Sequence, residues 1–221
     1  MARTRPNDLR WARVQVTTLE YLVPLVTQPA EQEEVFAALV KLRRDFLPSG
    51  DPGFDAPRYW SAVSRLWSLR WRTGNDEARD PLLEAVRALR ALVEDDPRVA
   101  PNRTELARAL YGLSQGHAMR EEWKAARTSI EESLELLRDL HREVPRETLS
   151  RRTAAEALAL CAEDEAADPE EQEVYASKAV AALEEAVRRG LRDPSRIRAE
   201  RSFRSLRGRK DFEGLLRRLG R

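Results

Sequence analysis

The sequence predicts an all-α fold built from antiparallel helical hairpins. Apolar residues recur at intervals of three and four along most of the chain, which is the spacing of one face of an α-helix. Short polar corners separate successive stripes, and no stretch alternates like a strand over a useful length. Hydrophobic residues make up 42% and charged residues 35%, with only nine glycines, a composition typical of amphipathic helices with charged outer faces.

The first 52 residues predict a pair of helices. Asn7 or Asp8 is the expected cap of the first helix, which Pro24 should kink or end. A second helix is expected from Pro29 toward Leu47, before a break rich in proline and glycine. The apolar residues of the pair are expected to form its core: Leu9, Val16, Leu19, Leu22, Val23, Val35, Phe36, Leu39, Val40 and Leu42.

Residues 56–97 predict a second hairpin. A third helix is expected from Pro57 to Arg72, and a fourth from Pro81 to Glu94. The stripe of the third helix includes the tryptophans Trp60, Trp67 and Trp71. We interpret these rings as core between hairpins, and a ligand-binding aromatic wall is the alternative.

Residues 104–145 carry the clearest hairpin. Two apolar stripes meet at a polar corner, residues 120–122, which is short enough to make the helices antiparallel neighbours. The first stripe consists of Leu106, Leu110, Leu113 and His117, and the second of Trp123, Ala126, Ile130, Leu134 and Leu137.

In its order of large and small residues, this hairpin resembles a tetratricopeptide repeat, a 34-residue helix–turn–helix unit. The matching positions are Leu110, Leu113, Trp123, Ala126, Ile130 and Ser133–Leu134. The sequence departs from the family where Ser114 replaces a glycine, His117 a tyrosine, and Glu121 the glycine of the turn. The second helix is also longer than the family's, and its proline, Pro145, comes late.

The resemblance implies a right-handed superhelix whose concave groove is lined by the first helix of each hairpin. It also implies which residues would face a bound peptide or helix. In the best-matched hairpin these are Arg108, Tyr111, Gln115 and Met119, and in the preceding one Arg58, Ser61, Arg65 and Leu69. The arginines favour an acidic or C-terminal carboxylate partner.

Residues 146–190 predict a further repeat, and residues 191–221 a cap, so that the whole chain forms one helical-repeat domain. We expect a seventh helix from Glu147 to Ala162, an acidic loop over 163–173, and an eighth helix from Val174 to Arg189 ended by Gly190. Short helices are expected near 194–199 and 211–219.

Residues 174–219 resemble the terminal repeat and cap in the repeat regions of planctomycete-type serine/threonine kinases. The matching pieces are Ala186–Val187, Gly190, Arg192–Pro194, Phe203, Leu206–Arg209, Asp211–Phe212 and Leu215–Leu216. The sequence has no Gly-rich phosphate loop, catalytic His-Arg-Asp or Asp-Phe-Gly. The resemblance therefore implies a bacterial repeat module linked to kinase signalling, without the kinase itself.

Positive charge is concentrated at the C-terminal end. Residues 188–221 contain thirteen Arg or Lys against four Asp or Glu, whereas the whole chain has a net charge of +1. A basic cluster can bind nucleic acid phosphates, which makes a nucleic-acid-associated regulator the alternative function. We favour the interpretation that these arginines coat the cap and pair with the acidic segment 163–173 or with neighbouring acidic faces.

The remaining chemical groups do not predict a catalytic, metal or cofactor site. His117 fits a packed core position, His141 lies far along the same hairpin, and Cys161 fits a buried hydrophobe. One cysteine permits no intramolecular disulfide and fits a reducing cytoplasm. The longest apolar run near the N-terminus, residues 21–26, is too short to span a bilayer. We therefore predict a non-catalytic cytoplasmic scaffold that binds a protein or peptide, not nucleic acid or a membrane.

Overall fold

The computed structural model describes residues 6–23, 25–26, 28–51, 55–143, 148–164, 167–192 and 194–220, and these residues form helices and turns with no strand. The chain divides into two compact units, Met1–Pro97 and Arg98–Arg221. The all-α prediction is confirmed. The boundary between the units falls between the hairpins predicted over 56–97 and 104–145.

The described residues of the first unit form four α-helices, and each packs against the next along the chain. They are α1 (Pro6–Leu22), α2 (Pro29–Phe46), α3 (Ala56–Arg72) and α4 (Arg79–Asp95), with 3₁₀ turns at Leu47–Ser49 and Asp76–Ala78. The predicted cap of the first helix is wrong, because Asn7 and Asp8 lie inside α1. Pro6 opens that helix instead, since its ring suits the first helical position. The predicted kink at Pro24 lies outside the described residues.

The described residues of the second unit form two hairpins and a cap. Its helices are α5 (Ala100–Ala118), α6 (Trp123–Glu143), α7 (Thr148–Cys161), α8 (Pro169–Arg188), α9 (Pro194–Ala199) and α10 (Lys210–Leu219), with a 3₁₀ segment at Arg201–Leu206. Helix α5 packs on α6, and α7 packs on α8. The two hairpins meet because α7 also contacts both α5 and α6.

Two helices begin earlier than the apolar stripes indicate. Helix α5 starts at Ala100 rather than near Thr104, and α8 starts at Pro169 rather than at Val174. Asp168 caps α8, and its side chain accepts a hydrogen bond from the Glu170 amide at 2.8 Å. Much of the predicted acidic loop is therefore the first turn of α8, where acidic side chains suit the helix dipole.

Glycines in the left-handed conformation end two of the helices. Gly190, at φ 118°, follows α8, and the Leu191 amide donates to the Ala186 carbonyl at 3.0 Å. Gly74, at φ 95°, follows α3, where the backbone makes the same pattern of hydrogen bonds. This is the Schellman motif, in which glycine avoids the steric cost of positive φ. The prediction that Gly190 ends the eighth helix is confirmed.

The C-terminal segments cover one end of the second unit. Phe203, Leu206 and Phe212 are fully buried and pack with apolar residues of α7 and α8, among them Ala159 and Leu183. Aromatic and leucine side chains of this size dominate the apolar area that stabilises a small unit. These side chains therefore cover the last hairpin of the chain, formed by α7 and α8.

Candidate functional site

A chain of hydrogen bonds joins α5 to the 3₁₀ segment Arg201–Leu206. The Tyr111 hydroxyl donates to Ser202 Oγ at 2.7 Å, and Gln115 Nε2 donates to the Tyr111 hydroxyl at 2.9 Å. Gln115 Nε2 also reaches Ser202 Oγ at 3.3 Å. Tyr111 is only 7% exposed, so these bonds satisfy polar groups that are shielded from water.

Helix α7 adds charged groups to the same place. Arg152 donates from Nε to Glu156 Oε1 at 2.6 Å and from Nη2 to Glu200 Oε2 at 3.0 Å. Burial lowers the pKa of the Arg152 guanidinium, but its interactions with Glu156 and Glu200 raise the pKa by more. The pKa of Arg152 is therefore raised above its ordinary value. We call the six residues of this arrangement the polar cluster: Tyr111, Gln115, Arg152, Glu156, Glu200 and Ser202.

Two of the four partner-binding residues predicted in this hairpin therefore hold a segment of their own chain. Of the other two, one lies on α5 and one directly follows it. Arg108 donates from Nη1 to Glu105 Oε1 at 2.6 Å and is about one-fifth exposed. Met119 follows the last turn and is 44% exposed.

The four remaining predicted residues lie on α3, in the first unit. Arg58 is exposed and pairs with Asp55, which caps the helix. Ser61 and Arg65 are half-buried, whereas Leu69 is only 3% exposed and packs in the core with residues of α1 and α2. The predicted role of all eight residues in binding a partner stays a prediction.

Arg43, on α2, adds a buried charge to the neighbourhood of Arg58 and Arg65. Its Nη2 pairs with Glu20, and its side chain is 6% exposed. Burial lowers the pKa of Arg43, and the positive charges of Arg58 and Arg65 lower it further. Arg43 could not be predicted as a buried charge from the sequence, because its spacing places it on the apolar face of α2, where a charge is not expected.

The tryptophans of α3 divide between core and surface. Trp71 is 2% exposed, as expected for core. Trp60 is half-buried and meets the Tyr59 ring edge-on, with centroids 5.0 Å apart. Trp67 is half-buried beneath the Arg70 guanidinium, which lies 4.6 Å from the ring centroid in a cation–π contact.

His117 and Cys161 are buried, as predicted. His117 is 6% exposed, and its Nδ1 lies 2.5 Å from Glu122 Oε2. Burial raises the pKa of the Cys161 thiol to about 12, so the thiol is protonated at neutral pH and is not a ready nucleophile. The side chain of His141 lies outside the described residues.

Several C-terminal arginines pair with acidic groups. Arg204 lies 3.6 Å from Glu163, and Arg209 makes two bonds to Glu173, at 2.5 and 2.9 Å. These contacts confirm the predicted pairing with the segment 163–173. Other pairs join Arg198 to Glu213, Arg218 to Glu184, and Arg188 and Arg189 to Glu185.

Within the part of the chain that the structure describes, no group of three or more His, Cys, Asp or Glu side chains is arranged to hold a metal ion. The described helices also include none with the length and apolarity needed to cross a bilayer. No family model, curated protein or solved structure matches the chain.

Proposed function

We propose that the chain is a non-catalytic interaction module that binds a partner peptide or helix along the first helices of its hairpins. The observation that carries the proposal is the bond from Tyr111 to Ser202. Tyr111 and Gln115, which the resemblance to a tetratricopeptide repeat assigns to partner binding, hold a short segment of polypeptide through side-chain hydrogen bonds. A helix face that binds one segment in this way has the chemistry to bind another.

Charge supports an acidic partner. Arg58 on α3 is exposed and Arg108 on α5 is about one-fifth exposed, and each already pairs with a carboxylate of its own chain. Guanidinium groups form strong, directional bonds with carboxylates, so an acidic peptide can compete for them. Arg43 adds positive charge beside Arg58, which increases the attraction for an acidic segment there.

The test compares two charge reversals in affinity capture from lysate of the source organism. Arg108→Glu changes the proposed binding face. Arg138→Glu is the matched control, because Arg138 also pairs with a glutamate three residues earlier but is exposed on α6. Circular dichroism and urea unfolding first establish that both variants are folded.

We expect wild type and Arg138→Glu to capture the same partner, and Arg108→Glu to lose it. For a peptide from that partner, we expect calorimetry to give at least about a tenfold rise in Kd with Arg108→Glu, because a charged hydrogen bond is lost. Identical capture by all three proteins would show that α5 does not bind the partner. Capture that nuclease or added salt removes would instead favour the nucleic-acid-associated alternative.

A further inference from the structure

Helix α1 is apolar on two opposite faces. Its inner face, including Ala12 and Val16, is buried against Val35, Phe36 and Leu39 of α2. Its outer face carries Trp11, Val14, Thr18 and Tyr21, which we call the outer stripe. Trp11 is 69% exposed, Val14 51% and Tyr21 74%, so this face lacks a cover among the described residues.

The outer stripe has the spacing of a helix-pairing seam. Its members are separated by three, four and three residues, which is the heptad pattern that keeps one face toward a neighbouring helix. Thr18 fits this pattern because its hydroxyl donates to the Val14 carbonyl at 2.9 Å. The threonine can therefore bury its methyl group without leaving a donor unsatisfied.

The order of side-chain sizes in the stripe is symmetric. Two large rings, Trp11 and Tyr21, lie equally far from Val16, and the smaller Val14 and Thr18 lie equally far from it inside them. Two antiparallel α1 helices can pair through their outer stripes with the two-fold axis at the level of residue 16. This pairing brings Trp11 against Tyr21 of the second copy, and Val14 against its Thr18. In a two-fold interface each contact occurs twice, as this order allows. Small residues at the crossing point let the helices approach closely.

Charge fits the same arrangement. The last turn of α1 contains no basic residue to balance the negative end of the helix dipole. Antiparallel pairing places Arg10 of the second copy beside that turn. The aliphatic part of the arginine can also cover Leu22, which is 39% exposed.

The available area suffices for a specific pair. An aromatic side chain buries roughly 150–250 Å², so the exposed parts of the stripe, with the neighbouring Leu22, offer on the order of 500 Å² per copy and about 1,000 Å² per pair. That total meets the lower bound of about 1,000 Å² for a specific interface and lies below the roughly 1,200–2,000 Å² of a typical stable one, so we expect a dimer of modest affinity. We propose that the outer stripe is a self-association surface, covered by the same stripe of a second copy in antiparallel orientation.

The first test measures mass by light scattering and sedimentation equilibrium at concentrations up to about 100 µM. Val14→Arg places a charge on each copy near the centre of the pair. Val174→Arg is the matched control, because Val174 on α8 is 49% exposed against 51% for Val14. We expect a dimer for wild type and for the control, and at least about a tenfold rise in dimer Kd with Val14→Arg.

A wild-type protein that stays monomeric overturns the proposal, as does a dimer that Val14→Arg leaves unchanged. Monomers that bind phosphatidylserine vesicles through the stripe would assign it to a lipid surface instead. Monomers that bind a different protein through Val14 would assign it to a hetero-partner. Both of these outcomes overturn self-association.

The second test fixes the orientation. Chains with Val14→Cys are mixed with chains carrying Thr18→Cys under mild oxidation, while the native Cys161 stays buried. Antiparallel pairing predicts a disulfide between the two kinds of chain, because disulfides form only where the β-carbons lie close together. A disulfide between two Val14→Cys chains would show parallel pairing and overturn the proposed arrangement.

Discussion

Glu121 adopts a backbone conformation that glycine adopts at the corresponding turn of the preceding hairpin. Its φ is 61°, against 95° for Gly74. The turn after α5 is closed like the one after α3, since the Glu121 amide donates to Ala118 at 3.1 Å and the next amide donates to His117 at 3.0 Å. Glutamate has no hydrogen-bonding advantage in this region of φ, so its β-carbon introduces strain.

Replacing Glu121 by glycine should stabilise the protein. We expect Glu121→Gly to raise the free energy of unfolding by about 1 kcal/mol in urea unfolding, because glycine removes the steric cost of positive φ. Glu121→Ala is the control, since it removes the carboxylate but keeps the β-carbon. Equal stabilisation by alanine would show that charge, not backbone strain, determines the effect.

At the scale of elements, Arg209 links the cap to α8. Besides its bonds to Glu173, it donates from Nη2 to Asp211 Oδ2 at 2.9 Å and to Ser177 Oγ at 3.1 Å. Hydrogen bonds from Arg209 lower the pKa of both carboxyl groups, and Ser177 contributes at Glu173. The same bonds raise the pKa of the guanidinium itself.

The cap should weaken in acid because of these shifts. Each carboxyl group has a lower pKa in the folded protein, so its stabilising effect is complete at neutral pH and is lost as pH falls below the ordinary values of 4.5 and 3.8. We expect Arg209→Gln to destabilise the protein at pH 7 and to have less effect as pH falls. Urea unfolding across this range measures the difference.

Lys210→Gln serves as the comparison for the acid experiment. It removes one positive charge from the adjacent exposed side chain. Its stability relative to wild type should not follow the pH profile of Arg209→Gln. If both variants show the same dependence on pH, net charge rather than the specific bonds of Arg209 causes the effect.

At the scale of the whole molecule, net charge is close to zero although the C-terminal end is rich in arginine. Pairs such as Arg204–Glu163 and Arg209–Glu173 place acidic groups beside that basic segment. Acidic neighbours reduce the attraction for phosphates, since they compete for the same guanidinium groups.

We expect only weak binding to duplex DNA that salt readily abolishes. Fluorescence anisotropy with labelled duplexes of two unrelated sequences, at about 50 and 200 mM salt, provides the measurement. Both duplexes should bind equally and lose affinity together as salt rises. Tight binding that persists at the higher salt, or that distinguishes the sequences, would favour the regulatory alternative over the interaction module.

The helix boundaries show which helix starts the apolar pattern predicts correctly and which it misses. The third helix was expected from Pro57 and begins at Ala56. The start of α8 was missed by five residues, because its first turn is acidic and exposed and adds nothing to an apolar stripe. The missed signal was Asp168 followed by Pro169, a capping residue and a proline at the first helical position.

The candidate site, like the helix boundaries, could be predicted only in part from the sequence. Tyr111 and Gln115 were singled out through the resemblance to a tetratricopeptide repeat, but Ser202 was not, although it is the group that they contact. Arg152 and Glu156 are spaced four residues apart, which predicts an ion pair on one helix face. Nothing in that spacing indicates that Glu200 would join them.

The helical character of the chain, the position of most hairpin turns and the residues of the apolar stripes all follow from the amino-acid sequence. These properties depend on contacts three and four residues apart and on turn residues, so they can be read locally. The folded structure was needed to show that Ser202 covers Tyr111, that Arg43 is buried, and that the outer stripe of α1 is left exposed. A periodic pattern identifies an apolar face, but what covers that face depends on segments distant in the chain.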